Sequence, residues 1–246
     1  MSAETLPPPP PLATLLAGGE VALFLDFDGT LVEIASGPDA IEVSDNLAGR
    51  LETLAARVGS RLALVSGRGL DNIDQHIGVK NIARAGSHGA ERLLADGSQL
   101  GDAPRPLEPE TLEALKSLSD KTGALLERKA YGAALHYRAA PETGPDIESA
   151  ARAIAALHGL SAKSGKCVVE LLYPGADKGG AVSAFMAIEP FVGSTPVFLG
   201  DDVTDEDGFA KAKELGGFGI AVGERQSQNA DFRLDSVCDV YEWLEL

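Results

Sequence analysis

The sequence predicts an α/β fold in which a doubly wound parallel sheet is interrupted by an inserted α+β domain. Three observations carry this. Continuous apolar runs such as Val21-Ala22-Leu23-Phe24-Leu25 suit strands buried on both faces. Segments of helical periodicity alternate with those runs. A central stretch instead alternates apolar and polar residues, as in Ala133-Ala134-Leu135-His136-Tyr137, which suits an antiparallel sheet with one wet face.

Taken in order, residues 1 to 19 read as a flexible, Pro-rich lead-in, because the prolines at 7 to 10 cannot form a helix. The strand 21–25 ends at Asp26. Leu47, Leu51, Leu54, Ala55 and Val58 then mark one helical face, with Ser44 expected as the N-cap. A second strand, Leu62-Ala63-Leu64-Val65, runs into Ser66-Gly67-Arg68, and a third, Ile82-Ala83-Arg84-Ala85, into Gly86. Pro104, Pro106 and Pro109 open the insertion, a helix-like stretch follows through Leu112, Leu115 and Leu118, and hairpin-like strands near 124–138 and 161–172 flank a helix near 146–157. Buried-strand texture returns in Pro196-Val197-Phe198-Leu199-Gly200 and Gly219-Ile220-Ala221-Val222. Val237, Val240, Tyr241 and Leu244 share a terminal helical face. The expected organisation is therefore a lead-in over 1–19, a core from 20–102 with 175–246, and an α+β domain over 103–174.

A formal net charge of −16 argues against nucleic acid or an anionic membrane surface as partner, since both demand clustered Lys and Arg. No apolar run approaches the roughly 20 residues that span a bilayer. No signal peptide is apparent, and Cys167 and Cys238 sit in no metal-like spacing, so a reduced cytoplasmic protein with buried free thiols is expected. An acidic protein handling an anion needs a local cation to overcome its own field.

Four strand ends carry candidate chemistry. Asp26-Phe27-Asp28-Gly29-Thr30 sets two carboxylates at i and i+2, where open α/β sheets place their ligands. One can attack phosphorus and the other can protonate a leaving oxygen. Ser66-Gly67-Arg68 offers a hydroxyl, backbone N–H groups and a guanidinium to phosphate. Lys178 opens a helix, a poor position for a cation unless an anion lies there. Gly200-Asp201-Asp202-Val203-Thr204-Asp205 places three carboxylates past a buried strand, a natural hard-cation site.

Together, in this order, these segments resemble the four motifs of the haloacid dehalogenase (HAD) superfamily. The resemblance implies a Rossmann-like core and a phosphatase, because Asp28 is the residue the dehalogenases lack. It implies Asp26 as nucleophile, Asp28 as acid/base, and Ser66, Gly67 and Lys178 as phosphate ligands. It also implies Mg²⁺ held by Asp26, Asp28 through its carbonyl, and Asp201, with Asp202 or Asp205 in support.

The insertion stands where type-2 caps stand. Leu64-Val65-Ser66-Gly67-Arg68, Gly86-Ser87-His88-Gly89-Ala90-Glu91, Glu127-Arg128-Lys129, Ala134-Leu135-His136-Tyr137-Arg138, Val169-Glu170 and Pro174-Gly175-Ala176-Asp177-Lys178-Gly179 are similar to segments of trehalose-6-phosphate phosphatases. By that resemblance Glu127, Lys129 and Glu170 would bond the hydroxyls of the sugar ring without phosphate, and Arg68 and His88 would reach in from the core. The family commonly carries an arginine soon after the residue corresponding to Glu170, whereas Leu171, Leu172 and Tyr173 stand here. The function implied is trehalose 6-phosphate hydrolysis by a monomer acting on a small-molecule sugar phosphate. Another capped sugar phosphatase (for sucrose, mannosylglycerate or hexose phosphates) or a phosphosugar mutase is the alternative.

Overall fold

A computed structural model describes residues 6–34, 41, 43–44, 46–78, 81–165 and 167–246. It divides into two compact units, residues 1–102 with 177–246, and residues 103–176.

The larger unit is built on β1 (Val21–Leu25), β2 (Leu62–Val65), β3 (Ala83–Gly86), β4 (Glu91–Leu93), β9 (Thr195–Gly200), β10 (Phe218–Val222) and β11 (Phe232–Leu234). Its helices are α1 (Leu12–Gly18), α2 (Leu47–Arg57), α3 (Leu70–Ile77), α6 (Lys178–Met186), α7 (Glu206–Glu214) and α8 (Val237–Leu244). The strand order is β11-β10-β9-β1-β2-β3-β4, parallel except for the antiparallel edge strand β4. The chain runs outward from β1 through β2 and β3, then returns to add β9 on the other side of β1. That reversal puts the carboxyl ends of β1 and β9 at a switch point, the place where such sheets leave a crevice for ligands.

The continuous apolar runs have a direct cause. Val21, Leu23 and Leu25 pack with the α2, α3 and α8 layer, while Ala22 and Phe24 pack with Val182, Phe185 and Phe209 of α6 and α7. Both faces of β1 are thus apolar, and its partner registers, such as Leu25 opposite Leu64 and Leu199, align the three strand ends.

The smaller unit has α4 (Pro109–Thr122), β5 (Leu125–Arg128), β6 (Gly132–His136), α5 (Gly144–Leu157), β7 (Ser161–Gly165) and β8 (Val168–Leu172). The antiparallel sheet runs β5-β6-β8-β7. Leu135, Val169 and Leu171 pack with Leu115, Ile147 and Ala151 of the two helices. The other face carries Glu127, Ala134, Glu170 and Lys163 in one register row.

Three expectations are corrected. The lead-in is not flexible over its described part: α1 begins at Leu12, which is 1% exposed. The Pro7 and Pro10 carbonyls accept hydrogen bonds from the Arg233 backbone and the Trp243 indole. Prolines have no N–H to donate, but their carbonyls remain acceptors, and distant residues use them. Residues 1–5 lie outside the described residues. Ser44 is not the N-cap of α2; Asn46 is, in a left-handed conformation, and the Ser44 hydroxyl bonds the Tyr241 hydroxyl instead. Cys167 and Cys238 are free thiols, but Cys167 is only half-buried and Cys238 exposed. Among the described residues no helix is long and apolar enough to cross a membrane.

Leu12→Ala is expected to cost about 2–3 kcal/mol of stability by urea unfolding, as for other buried leucines. An unchanged midpoint would mean that the N-terminal segment adds nothing to the fold.

Candidate active site

Asp26 follows β1 directly, and its amide bonds the Leu199 carbonyl at the end of β9, at 2.9 Å. The residue is 4% exposed. Lys178, at the first position of α6, sends its ammonium to Asp26 Oδ1 at 2.8 Å and to Asp205 Oδ1 at 2.6 Å. The anions that justify a lysine at this helix terminus are therefore two carboxylates of the chain itself. Asp177 caps α6 by accepting from the Gly180 amide.

Asp205 is fully buried, and its other oxygen accepts from the Asp202 amide at 2.9 Å while the Asp202 side chain accepts from the Asp205 backbone. This reciprocal box turns the Asp202 carboxylate toward capping. Asp26, Asp201 and Asp205, in contrast, each offer an oxygen within 4.8 Å of the others. The structure thus brings Asp205, not Asp202, into the acidic cluster.

The electrostatics of this cluster call for a cation. Burial first, then Asp205, push the Asp26 carboxyl well above its ordinary range, against the pull of Lys178. Burial likewise raises Asp205, although Lys178 opposes it. Burial disfavours the Lys178 ammonium, yet Asp26 and Asp205 outweigh that and hold it above its ordinary value. Burial, with Asp205 and Asp202, pushes Asp201 up to about 6. Three ionised carboxylates beside one ammonium leave two negative charges, which a divalent ion with oxygen ligands would balance. The packing fits: Gly29 has φ +72°, and a Cβ there would lie 2.3 Å from the Asp201 carboxylate, so only glycine lets the two loops meet.

Asp28 lies on the more open side. Arg68 grips it with a two-point fork, Nε to Oδ2 and Nη2 to Oδ1, both at 2.6 Å, and also donates to Asn72 Oδ1 at 2.7 Å. Ser66 is fully buried, and its Oγ accepts from the Arg68 amide at 3.1 Å. His88 sits in a left-handed turn after β3, with its amide on the Ser66 carbonyl. Its imidazole packs against Gly67, where a Cβ would come within 2.7 Å of His88 Cε1. The core residues singled out by sequence therefore converge on neighbouring strand ends.

In the smaller unit, Lys129 pairs with Glu170 at 2.7 Å rather than with its neighbour Glu127. Glu127 instead meets His136 Nε2 at 2.8 Å. Tyr137 points to the other face, where its hydroxyl donates to Glu148. Sequence reasoning missed the role of His136 on the charged face, though strand alternation already placed it opposite Tyr137. It also missed Arg225, which donates to the Asp201 and Asp202 carbonyls and which no motif flags.

Comparison with known proteins agrees with this geometry. Residues 24–237 match the family described as Trehalose-phosphatase. The chain is 40% identical over 228 residues to the trehalose-6-phosphate phosphatase of Escherichia coli, covering 92% of this chain and 85% of that protein. It is also 40% identical over 206 residues to a probable trehalose-phosphate phosphatase of Sinorhizobium fredii, covering 82% and 77%. A solved structure of Aspergillus fumigatus trehalose-6-phosphate phosphatase superposes with a TM-score of 0.77 at 26% identity, over 97% of each chain.

The raised Asp201 carboxyl has a measurable consequence. A carboxyl whose folded pKa, about 6, exceeds its ordinary 3.8 destabilises the metal-free fold once ionised in both states, above about pH 6. That cost fades as pH falls from 6 toward 4, where the folded state takes up the proton first. Asp201→Asn is therefore expected to raise the melting midpoint in EDTA at pH 7.5 and to flatten its change between pH 6 and 4. A lowered midpoint at pH 7.5 would contradict this origin of the shift.

Proposed function

Because the chain belongs to the trehalose-phosphatase family, we propose that it hydrolyses trehalose 6-phosphate to trehalose and inorganic phosphate, with Asp26 as the nucleophile. The observation that carries this reading is the Asp26 carboxylate, buried at the end of the central strand and held 2.8 Å from the Lys178 ammonium. A weak oxygen nucleophile gains from such fixed placement and from the cation that will face the phosphoryl oxygens.

In the first step an Asp26 oxygen bonds to phosphorus, the bond from phosphorus to the sugar oxygen breaks, and Asp28 delivers a proton to that oxygen. In the second, Asp28 takes a proton from water as the water oxygen bonds to phosphorus, and the bond to Asp26 breaks. The Ser66 hydroxyl, the Gly67 amide and Lys178 hold the phosphoryl oxygens. The Asp28 carboxylate can exchange protons only when the Arg68 fork opens, and a phosphate dianion is the natural competitor for that guanidinium. Mg²⁺ held by Asp26, Asp201, Asp205 and the Asp28 carbonyl would supply the remaining charge neutralisation, with Asp202 fixing the loop.

The charged sheet face of the smaller unit supports a sugar as the leaving group. Glu127, Lys129 and Glu170 all project from it, and their present pairing partners are replaceable by sugar hydroxyls. A cytoplasmic location, where Cys167 and Cys238 stay reduced, fits this reading.

Asp26→Asn is expected to cut phosphate release on the order of a thousandfold or more. Glu170→Gln should raise KM for trehalose 6-phosphate about tenfold, with a smaller change in kcat. A kinetic panel with sucrose phosphate, mannosylglycerate phosphate and glucose 6-phosphate decides the substrate. Turnover of trehalose 6-phosphate no better than of glucose 6-phosphate would sink the assignment, and transfer to a second sugar hydroxyl would point to a mutase.

A further inference from the structure

The loop that presents Asp201 packs five acidic residues into Asp201–Asp207, and like charges at one strand end push apart unless something fixes the backbone. Arg225 stands three residues after β10 and faces that loop. Its Nε donates to the Asp201 carbonyl at 2.8 Å, and its Nη2 donates both to the Asp202 carbonyl at 2.9 Å and to Glu206 Oε1 at 2.7 Å. Nη1 closes its own turn on the Gln226 carbonyl at 2.9 Å. Arg225 is itself held, because Arg233 Nη2 donates to its carbonyl at 2.9 Å. Glu206 accepts the Asn229 amide at 2.9 Å with its other oxygen, so the two loops are joined at both ends.

The choice of acceptor matters. An arginine bound to the Asp201 carboxylate would compete with a cation for it. Bound to the carbonyls, it fixes where that carboxylate starts from and leaves its oxygens available, against the opening that Gly29 leaves. We propose that Arg225 is a positioning residue for the divalent cation, raising affinity by holding the Asp201–Asp202 backbone against carboxylate repulsion. This rests on the reading of Asp26, Asp201 and Asp205 as the metal site.

Calorimetric Mg²⁺ titration of the metal-stripped full chain tests it, alongside the melting midpoint in EDTA. Arg225→Ala is expected to weaken Mg²⁺ binding about 10- to 100-fold, the range for residues that orient metal ligands. Arg225→Lys, which keeps the charge but cannot span both carbonyls, should fall between Arg225→Ala and the unaltered chain. It also carries the test should the alanine variant fail to fold. Unchanged or tighter Mg²⁺ binding in the folded variants would overturn the proposal, since tighter binding is what removal of a mere positive charge would give. Asp201→Asn separates the two readings. If it too leaves Mg²⁺ affinity unchanged, the metal site itself is wrong; if it abolishes binding while Arg225→Lys and Arg225→Ala do not weaken it, only the role of Arg225 fails.

Discussion

Lys178 brings an ammonium between Asp26 and Asp205, and all three side chains are almost wholly removed from water. Ionised groups at that depth persist only where their partners offset the lost hydration, and removing Lys178 would leave two buried carboxylates uncompensated at a cost of about 3–5 kcal/mol. Much of the larger unit follows from keeping them together. Asp26 must follow β1, Asp205 must lie just past the adjacent β9, and α6 must start beneath both. The strand order that reverses beside β1 is the arrangement that meets these conditions.

The same grouping is incomplete on its own terms. Asp201 adds a third carboxylate, and burial with its neighbours pushes its pKa up to about 6. The loops tolerate this through the Asp202–Asp205 box, the Gly29 approach and the Arg225 contacts to carbonyls, the last of which do not occupy the Asp201 carboxylate. Stability is thus reduced locally at the place where a divalent cation would restore charge balance, a common relation between strain and function. Asp28 is handled differently. It is more open to solvent and gripped by Arg68, so Asp26, the proposed nucleophile, is fixed by a buried pair while Asp28, the proposed acid/base, is held by a more exposed contact.

How much of this could be read in the sequence depended on how local the signal was. The buried strands were legible because β1, β2, β9 and β10 are packed on both faces and so have no polar alternation. The insertion was legible because its sheet has one wet face, as the alternation around Leu135 and His136 required. The acidic and lysine positions were legible as motifs at strand ends. Contacts between distant residues were not. The docking of Pro7 and Pro10 depends on Arg233 and Trp243, more than two hundred residues away, and proline composition alone argued for a flexible lead-in. Ser44 had the chemistry of a cap, but Tyr241 claimed its hydroxyl. Arg225 lay in an unremarkable Gly-Glu-Arg turn, and nothing short of the fold could bring it to the Asp201 carbonyl. The pairing of Lys129 with Glu170 across the sheet likewise needed the strand register, since the nearer partner in sequence was Glu127.

A covalent phosphoryl group on Asp26 is the central step of the proposed reaction. Its most direct test is the stereochemistry of thiophosphate release in 17O-water from trehalose 6-phosphorothioate made chiral at phosphorus with 16O and 18O. Two in-line displacements, first by Asp26 and then by water, predict overall retention of configuration; inversion would mean that water attacks directly, and would contradict the role given to Asp26.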